Sequence, residues 1–119
     1  MKYLLLIYEK ERSLDGMSEA EQGKIFQEYM DYTARIRKSG NYIAGEALQP
    51  VSTATTVREK NGKTLTTDGP FAETREQLGG FYMVEAKDLD EATALAKGIP
   101  AVRTGSIEVR PIMPTPLPD

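Results

Sequence analysis

The residues of this sequence that could do chemistry are concentrated between Thr67 and Phe81. Asp68 and Glu73 supply two carboxylates five residues apart, Arg75 supplies a cation, and a glycine pair precedes Phe81. A carboxylate at the end of a strand can serve as general acid or base, and a neighbouring charge can tune it or bind an anionic substrate. Asp68 is therefore the candidate catalytic residue.

The same stretch has a purely structural interpretation. Asp commonly caps a turn with its own side chain, and Asp68 is followed by Gly69-Pro70. In that case Glu73 and Arg75 are solvated surface residues. The turn interpretation predicts a positive φ at Gly69, so that Gly69→Ala should disturb folding.

The candidate ligand-binding residues extend beyond this stretch. Glu46 lies in a predicted strand, and a buried carboxylate there would need a partner such as Arg58 or Arg110. Tyr82 could supply a phenol to a pocket, although an aromatic residue at this position is also typical of a core. Arg110 shares a strand face with Glu108, which predicts cross-strand ion pairs. The full set of ligand-binding candidates is Glu46, Phe71, Glu73, Arg75, Tyr82 and Arg110.

Composition excludes several kinds of site. The 119 residues include no cysteine and no histidine, which removes thiolate chemistry, Ser-His-Asp triads and histidine metal sites. Asp68, Glu73 and Glu46 come from separate segments without ligand-like spacing, so we predict no metal site and no cofactor. The net charge of −3 argues against direct contact with nucleic acid.

The amino-terminal half predicts a strand followed by a long helix. Residues 2–8 are apolar at both strand parities, which indicates a central strand, and the run is too short for a signal peptide or a membrane span. We therefore expect a cytoplasmic protein. Ser18 and Glu21 form a capping box, and the helix should end at Gly40. Its apolar stripe is predicted to contain Ile25, Phe26, Tyr29, Met30, Thr33 and Ile36.

The rest of the chain predicts a second strand at 42–48, a hairpin around Asn61-Gly62, and a loop or short helical turn at 71–78. A core strand at 81–86, a helix capped by Asp88, and a last strand at 105–113 follow. Without the hairpin insertion, at about 53–68, the order is βαββαβ, the ferredoxin-like α+β motif. We expect one domain over 1–113 and an extended proline-rich tail over 114–119. Because two helices cover only one sheet face, a homodimer through the other face is predicted.

The run DGPFAETREQLGGF resembles the signature of the DGPF branch of the YCII-related family. MKYLLLIY, GEALQP, TATTVR and GSIEVRPI are also similar to that branch, and only the tail falls outside the resemblance. The resemblance implies a ferredoxin-like domain of the dimeric α/β-barrel type, with a small-molecule pocket between sheet and helices.

The resemblance also bears on activity. Some YCII-like proteins have a proposed His–Asp dyad, of which this chain could supply only Asp68. The resemblance implies an uncharacterised protein that binds a small molecule near the DGPF loop and could be an enzyme using Asp68 as acid or base. The alternative it implies is a non-catalytic sensor or accessory protein in regulation linked to an extracytoplasmic-function sigma factor of a bacterium.

Overall fold

The computed structural model describes residues 1–10, 15–72 and 74–115 and folds them into six strands and two helices. No helix among these residues is long and apolar enough to cross a membrane. Two short 3₁₀ segments, Val51–Thr53 and Pro100–Arg103, lie between the main elements. In chain order the main elements are β1 (Lys2–Lys10), α1 (Glu19–Lys38), β2 (Tyr42–Ala47), β3 (Thr55–Lys60), β4 (Lys63–Asp68), β5 (Glu76–Glu85), α2 (Leu89–Lys97) and β6 (Ser106–Pro111).

Four of the strands form one antiparallel sheet in the order β2-β5-β1-β6. β1 is therefore central, as its apolar residues on both faces predict. Each helix connects two strands separated by one neighbour, which is the βαββαβ arrangement. The ferredoxin-like α+β fold predicted from the sequence is confirmed, with β3 and β4 as a separate two-stranded sheet.

The core lies between the sheet and the two helices. Tyr3, Leu5 and Ile7 of β1 are buried on the face that receives Tyr32 and Ile36 of α1. The Tyr32 hydroxyl donates a hydrogen bond to the Leu95 carbonyl of α2 at 2.7 Å, which ties the two helices together. Both helices thus cover a single sheet face.

The predicted capping box of α1 is present, with Ser18 accepting from the Glu21 amide at 3.1 Å. The predicted apolar stripe is partly wrong. Phe26 and Met30 are 66% and 53% exposed, whereas Tyr32 and Ile36 are the α1 residues that are buried in the core. Phe26 lies at an open cleft beside the sheet, whereas Tyr32 and Ile36 pack into the core cluster with β1.

The sheet face opposite the helices is apolar at its centre. Leu4 pairs with Met83 and Leu6 with Phe81 across β1 and β5, and all four side chains are only partly buried. The expected homodimer would cover this face and stays a prediction.

The hairpin has the pairing that a two-residue Asn61-Gly62 turn predicts, with Lys60 opposite Lys63 and Thr55 opposite Asp68. Asn61 and Gly62 both have positive φ, 53° and 77°, as this turn requires. Within β3 and β4 every side chain except that of Thr56 is exposed. The hairpin therefore projects from the body of the molecule.

Several predicted strand boundaries are wrong, and β5 and β6 each have one that differs by more than one residue. β5 begins at Glu76, inside the predicted loop, because β1 continues to Lys10 and pairs with residues 76–78. β6 ends at Pro111 rather than Met113. Pro114 and Thr115 of the predicted tail have no regular structure, and residues 116–119 lie outside the described residues.

Candidate functional site

The Asp68-Gly69-Pro70 turn ends the hairpin and is fixed by backbone contacts. Gly69 has φ +103°, which confirms the predicted positive φ, and its amide donates to the Ala54 carbonyl at 2.7 Å. The Thr56 hydroxyl donates to the Gly69 carbonyl at 2.8 Å. The Asp68 side chain is exposed and makes no hydrogen bond or ion pair with the residues that the structure describes. The predicted side-chain cap is therefore not formed within them.

The other candidates near this turn do not converge on it. Phe71 is 76% exposed, and the Arg58 guanidinium of β3 lies 4.9 Å from its ring centre. Arg75 is also exposed. Glu73 lies outside the described residues.

Arg110 is an exposed residue of the edge strand β6. It donates through Nε to Glu108 Oε2 at 2.7 Å. This ion pair lies within one strand, so the predicted cross-strand pairing is wrong. Two residues apart on one strand face, the side chains meet directly. The Arg110 guanidinium is therefore paired with a carboxylate of its own strand.

A cleft of about 780 Å³ opens between α1 and the sheet. Glu46 and Tyr82 line it, whereas Asp68, Phe71, Arg75 and Arg110 do not. Glu46 is exposed and forms no ion pair with Arg58 or Arg110. The cleft has the size typical of small-molecule sites and lies beside the base of the hairpin, not at the DGPF turn.

A pair of hydroxyls lies at the middle of the cleft. The Tyr82 hydroxyl and Thr33 Oγ1 are 2.7 Å apart, a hydrogen bond in which either can be the donor. Two hydroxyls carry two protons, and their mutual bond uses one. The second proton can therefore be donated to a molecule in the cleft.

Burial stabilises the neutral form of two tyrosines in the cleft, Tyr29 and Tyr82. Burial, reinforced by the Glu9 carboxylate, raises the pKa of Tyr29 to about 12, against the opposing effect of the Ala101 backbone amide. Burial also raises the pKa of Tyr82, and the Thr33 hydroxyl partly offsets this. At neutral pH both phenols remain protonated and are hydrogen-bond donors rather than bases.

Charged residues line both ends of the cleft. At one end the Arg37 guanidinium lies 4.5 Å from the ring centre of Tyr42. At the other, Arg103 pairs with Glu28 at 2.8 Å, and Glu9 accepts a hydrogen bond from the Thr104 hydroxyl at 3.3 Å. The ion pairs among described residues do not use Arg37, which leaves its cation available.

Sequence reasoning missed four of these residues as site residues: Glu9, Tyr29, Thr33 and Arg37. Three of them, Tyr29, Thr33 and Arg37, are spaced by four along α1 and therefore lie on one helix face. That run of polar groups beside an apolar stripe was the available signal. The sequence pattern predicts Tyr29 and Thr33 only as members of the apolar stripe of α1.

The part of the chain that the structure describes holds no cluster of three or more acidic residues placed to bind a metal ion.

Comparison with known proteins agrees with the fold. Residues 1–116 match the family model described as the YCII-related domain. The chain is also similar to an uncharacterised protein of Rhizobium meliloti (strain 1021). The two are 35% identical over 114 residues, which span 94% of this chain and 92% of the relative.

Proposed function

The chain belongs to the YCII-related family, and from that premise we propose that it binds a small molecule in the cleft between α1 and the sheet. The observation that carries the proposal is the Thr33–Tyr82 hydroxyl pair, 2.7 Å apart, at the middle of a cleft of about 780 Å³. A largely apolar cleft with a few convergent polar groups is the usual form of a ligand site.

Binding without catalysis is the activity this cleft supports best. The Tyr29 and Tyr82 phenols are neutral donors, because burial raises their pKa values. The one carboxylate proposed as acid or base, Asp68, lies on the exposed hairpin and does not line the cleft. An enzymatic role for Asp68 would need a second site at the DGPF turn.

We also propose that the protein is a cytoplasmic homodimer joined through the open sheet face, as the resemblance to the DGPF branch implies. In that setting a bound ligand could be sensed by a partner, and the family resemblance points to an extracytoplasmic-function sigma factor of a bacterium. A direct test is calorimetric titration of the purified protein with such a sigma factor, in the presence and absence of a ligand.

The experiment that tests the cleft is thermal denaturation against a library of carboxylates, lactones, phenols and phosphorylated metabolites. A ligand at one hundred times its Kd stabilises a protein by about 2.7 kcal/mol, which a rise in melting temperature reports. Parent, Thr33→Val, Tyr82→Phe and Asp68→Asn are compared, since each substitution nearly preserves side-chain volume.

We expect ligands whose stabilisation is reduced by Thr33→Val or Tyr82→Phe and is unchanged by Asp68→Asn. Stabilisation lost only in Asp68→Asn would move the site to the DGPF turn and support catalysis there. If the library stabilises none of the four proteins, the ligand-binding proposal is wrong, and binding of a protein partner takes its place.

A further inference from the structure

The cleft changes in polarity along α1. The α1 residues that line it include Phe26, Tyr29, Thr33 and Arg37, at spacings of three and four on one helix face. With a rise of 1.5 Å per residue, Phe26 and Arg37 are about 16 Å apart along the helix. An aromatic ring therefore lies at one end of the cleft, hydroxyls at the middle and a guanidinium at the other end.

The sheet side of the cleft adds apolar side chains at the Phe26 end, beside the charged residues Glu9, Lys10 and Glu46. β2 follows α1 through a tight turn and returns along it, which places Tyr42 beside Arg37. The end of β2 leads to Leu48, whose amide donates to the Gly79 carbonyl at 2.9 Å and so brings it next to Leu78. Leu48, Leu78 and Phe26 all line the cleft and are all exposed. Exposed apolar side chains grouped at one end of a cleft mark a surface that a ligand can cover.

The Arg37 side chain offers a cation to a ligand at one end of the cleft. Arg37 is exposed, is held against Tyr42 and has no acidic partner among the described residues, so it can pair with an anion. At the other end Arg103 is already paired with Glu28, and the Glu9 carboxylate lies close to Tyr29. Lys10 also lines that end, so both signs of charge are present there. An anionic group would be attracted to the Arg37 guanidinium.

Resting on the proposed function, we propose that the ligand of the cleft is an elongated amphipathic monocarboxylic acid. Its carboxylate pairs with Arg37, and its apolar chain runs past the Thr33–Tyr82 pair toward Phe26, Leu48 and Leu78. The class fits because it combines one negative charge with an apolar length comparable to the cleft. A short polar acid would leave the apolar end uncovered, and a neutral chain would leave Arg37 without a partner.

The test is calorimetric titration with butanoate, hexanoate, octanoate and decanoate, with octan-1-ol as the uncharged comparison. Each methylene that becomes buried should raise affinity about fourfold. Octanoate should bind at least tenfold more tightly than octan-1-ol. Affinities that are independent of chain length, or equal for acid and alcohol, would overturn the proposal.

Two matched pairs of variants locate the two ends of the ligand. Arg37→Gln should weaken octanoate at least tenfold and leave octan-1-ol unchanged. Arg35→Gln should affect neither, because Arg35 lies against Tyr32 and does not line the cleft. Phe26→Ser should weaken decanoate more than butanoate, whereas Leu89→Ser, at an exposed position on α2 outside the cleft, should change neither. Equal effects of the two arginine variants would overturn the assignment of the carboxylate.

The two titration and melting experiments together distinguish an error in the ligand class from an error in the location of the binding site. If no carboxylate binds but a library compound does, and Thr33→Val weakens that compound, the amphipathic-acid proposal is wrong and the cleft remains the binding site. If nothing binds in either experiment, both proposals fall together.

Discussion

At the scale of single residues, Gly105 shows how little space separates the start of β6 from β1. A Cβ at this position would lie 2.0 Å from the Tyr8 carbonyl oxygen and 2.9 Å from the Glu9 side chain. No side chain can be accommodated at such distances without movement of the backbone. The contact therefore requires glycine for its size rather than for its φ.

We predict that Gly105→Ala lowers the free energy of unfolding by about 1–3 kcal/mol, the usual cost of forcing extra atoms into a packed region. The matched control is Gly23→Ala in α1, where a new Cβ meets nothing within 4 Å. That change should stabilise the protein by about 0.5–1 kcal/mol, since glycine disfavours helix. Urea denaturation of both variants checks the pair. Equal effects of the two substitutions on the free energy of unfolding would contradict steric crowding between Gly105 and Tyr8.

Tyr29 gives a prediction for alkaline pH. Its pKa is raised by burial to about 12, so the native state holds this proton more tightly than the unfolded chain, whose tyrosine pKa is 10.0. The stabilisation is complete below pH 10 and is lost as pH rises from about 10 through about 12. Denaturation at several pH values across this range should show stability falling, and Tyr29→Phe should make the fall shallower. Parallel curves for parent and variant would contradict this role.

At the scale of elements, α1 is held at its start by the capping box that the sequence predicts. Ser18 accepts from the Glu21 amide at 3.1 Å, and Glu21 in turn accepts from the Ser18 amide at 3.4 Å. We expect Ser18→Ala to cost about 1 kcal/mol of stability, the usual value for loss of a cap. Thermal melting should detect it. Ser52→Ala, at an exposed position on a short 3₁₀ segment, is the control and should leave the melting temperature unchanged.

Local signals predicted the elements better than they predicted the site. The capping box, the Asn-Gly turn and the apolar strands each act over a few neighbouring residues, so one sequence suffices to identify them. The cleft is lined by residues from α1, β1, β2 and β5, and no local pattern encodes how these elements pack together. For that reason Phe26 was assigned to the core, and Thr33 was separated from Tyr82, which it meets across 49 positions of sequence.

At the DGPF turn the sequence predicted a site, and the structure does not bring its residues together. Its density of carboxylates, cation and glycines made it the obvious place for chemistry, yet Asp68 and Arg75 are exposed in the single chain. Turn residues and catalytic residues draw on the same amino-acid types. Spacing alone could not separate the two uses.

At the scale of the whole molecule, the protein is a slab of 48 × 45 × 20 Å. A thickness of about 20 Å corresponds to one sheet and one helix layer, each about 10 Å deep. The second sheet face, with Leu6 beside Phe81, is therefore an outer surface of the single chain. A second copy of the same face would bury it symmetrically.

For the homodimer proposed above, we expect Leu6→Lys to shift the protein from dimer to monomer, because a charge at the centre of an apolar interface is costly to bury. Sedimentation of parent and variant measures the change, and circular dichroism shows whether the variant is folded. Leu65→Lys, on the exposed hairpin, is the control and should leave the dimer intact. A folded Leu6→Lys dimer would exclude this face as the interface.

The hairpin has a consequence for how this chain can be altered. Leu48 and Gly79, on either side of the segment that contains the hairpin, are joined by a backbone hydrogen bond of 2.9 Å. The sheet is therefore closed at the base of the hairpin and does not depend on what the segment contains. Residues 52–74 could be exchanged for a short turn or for a foreign peptide with little change in melting temperature, since inserted loops alter closure entropy only slowly with length. The ferredoxin-like body would then serve as a carrier for interchangeable binding loops.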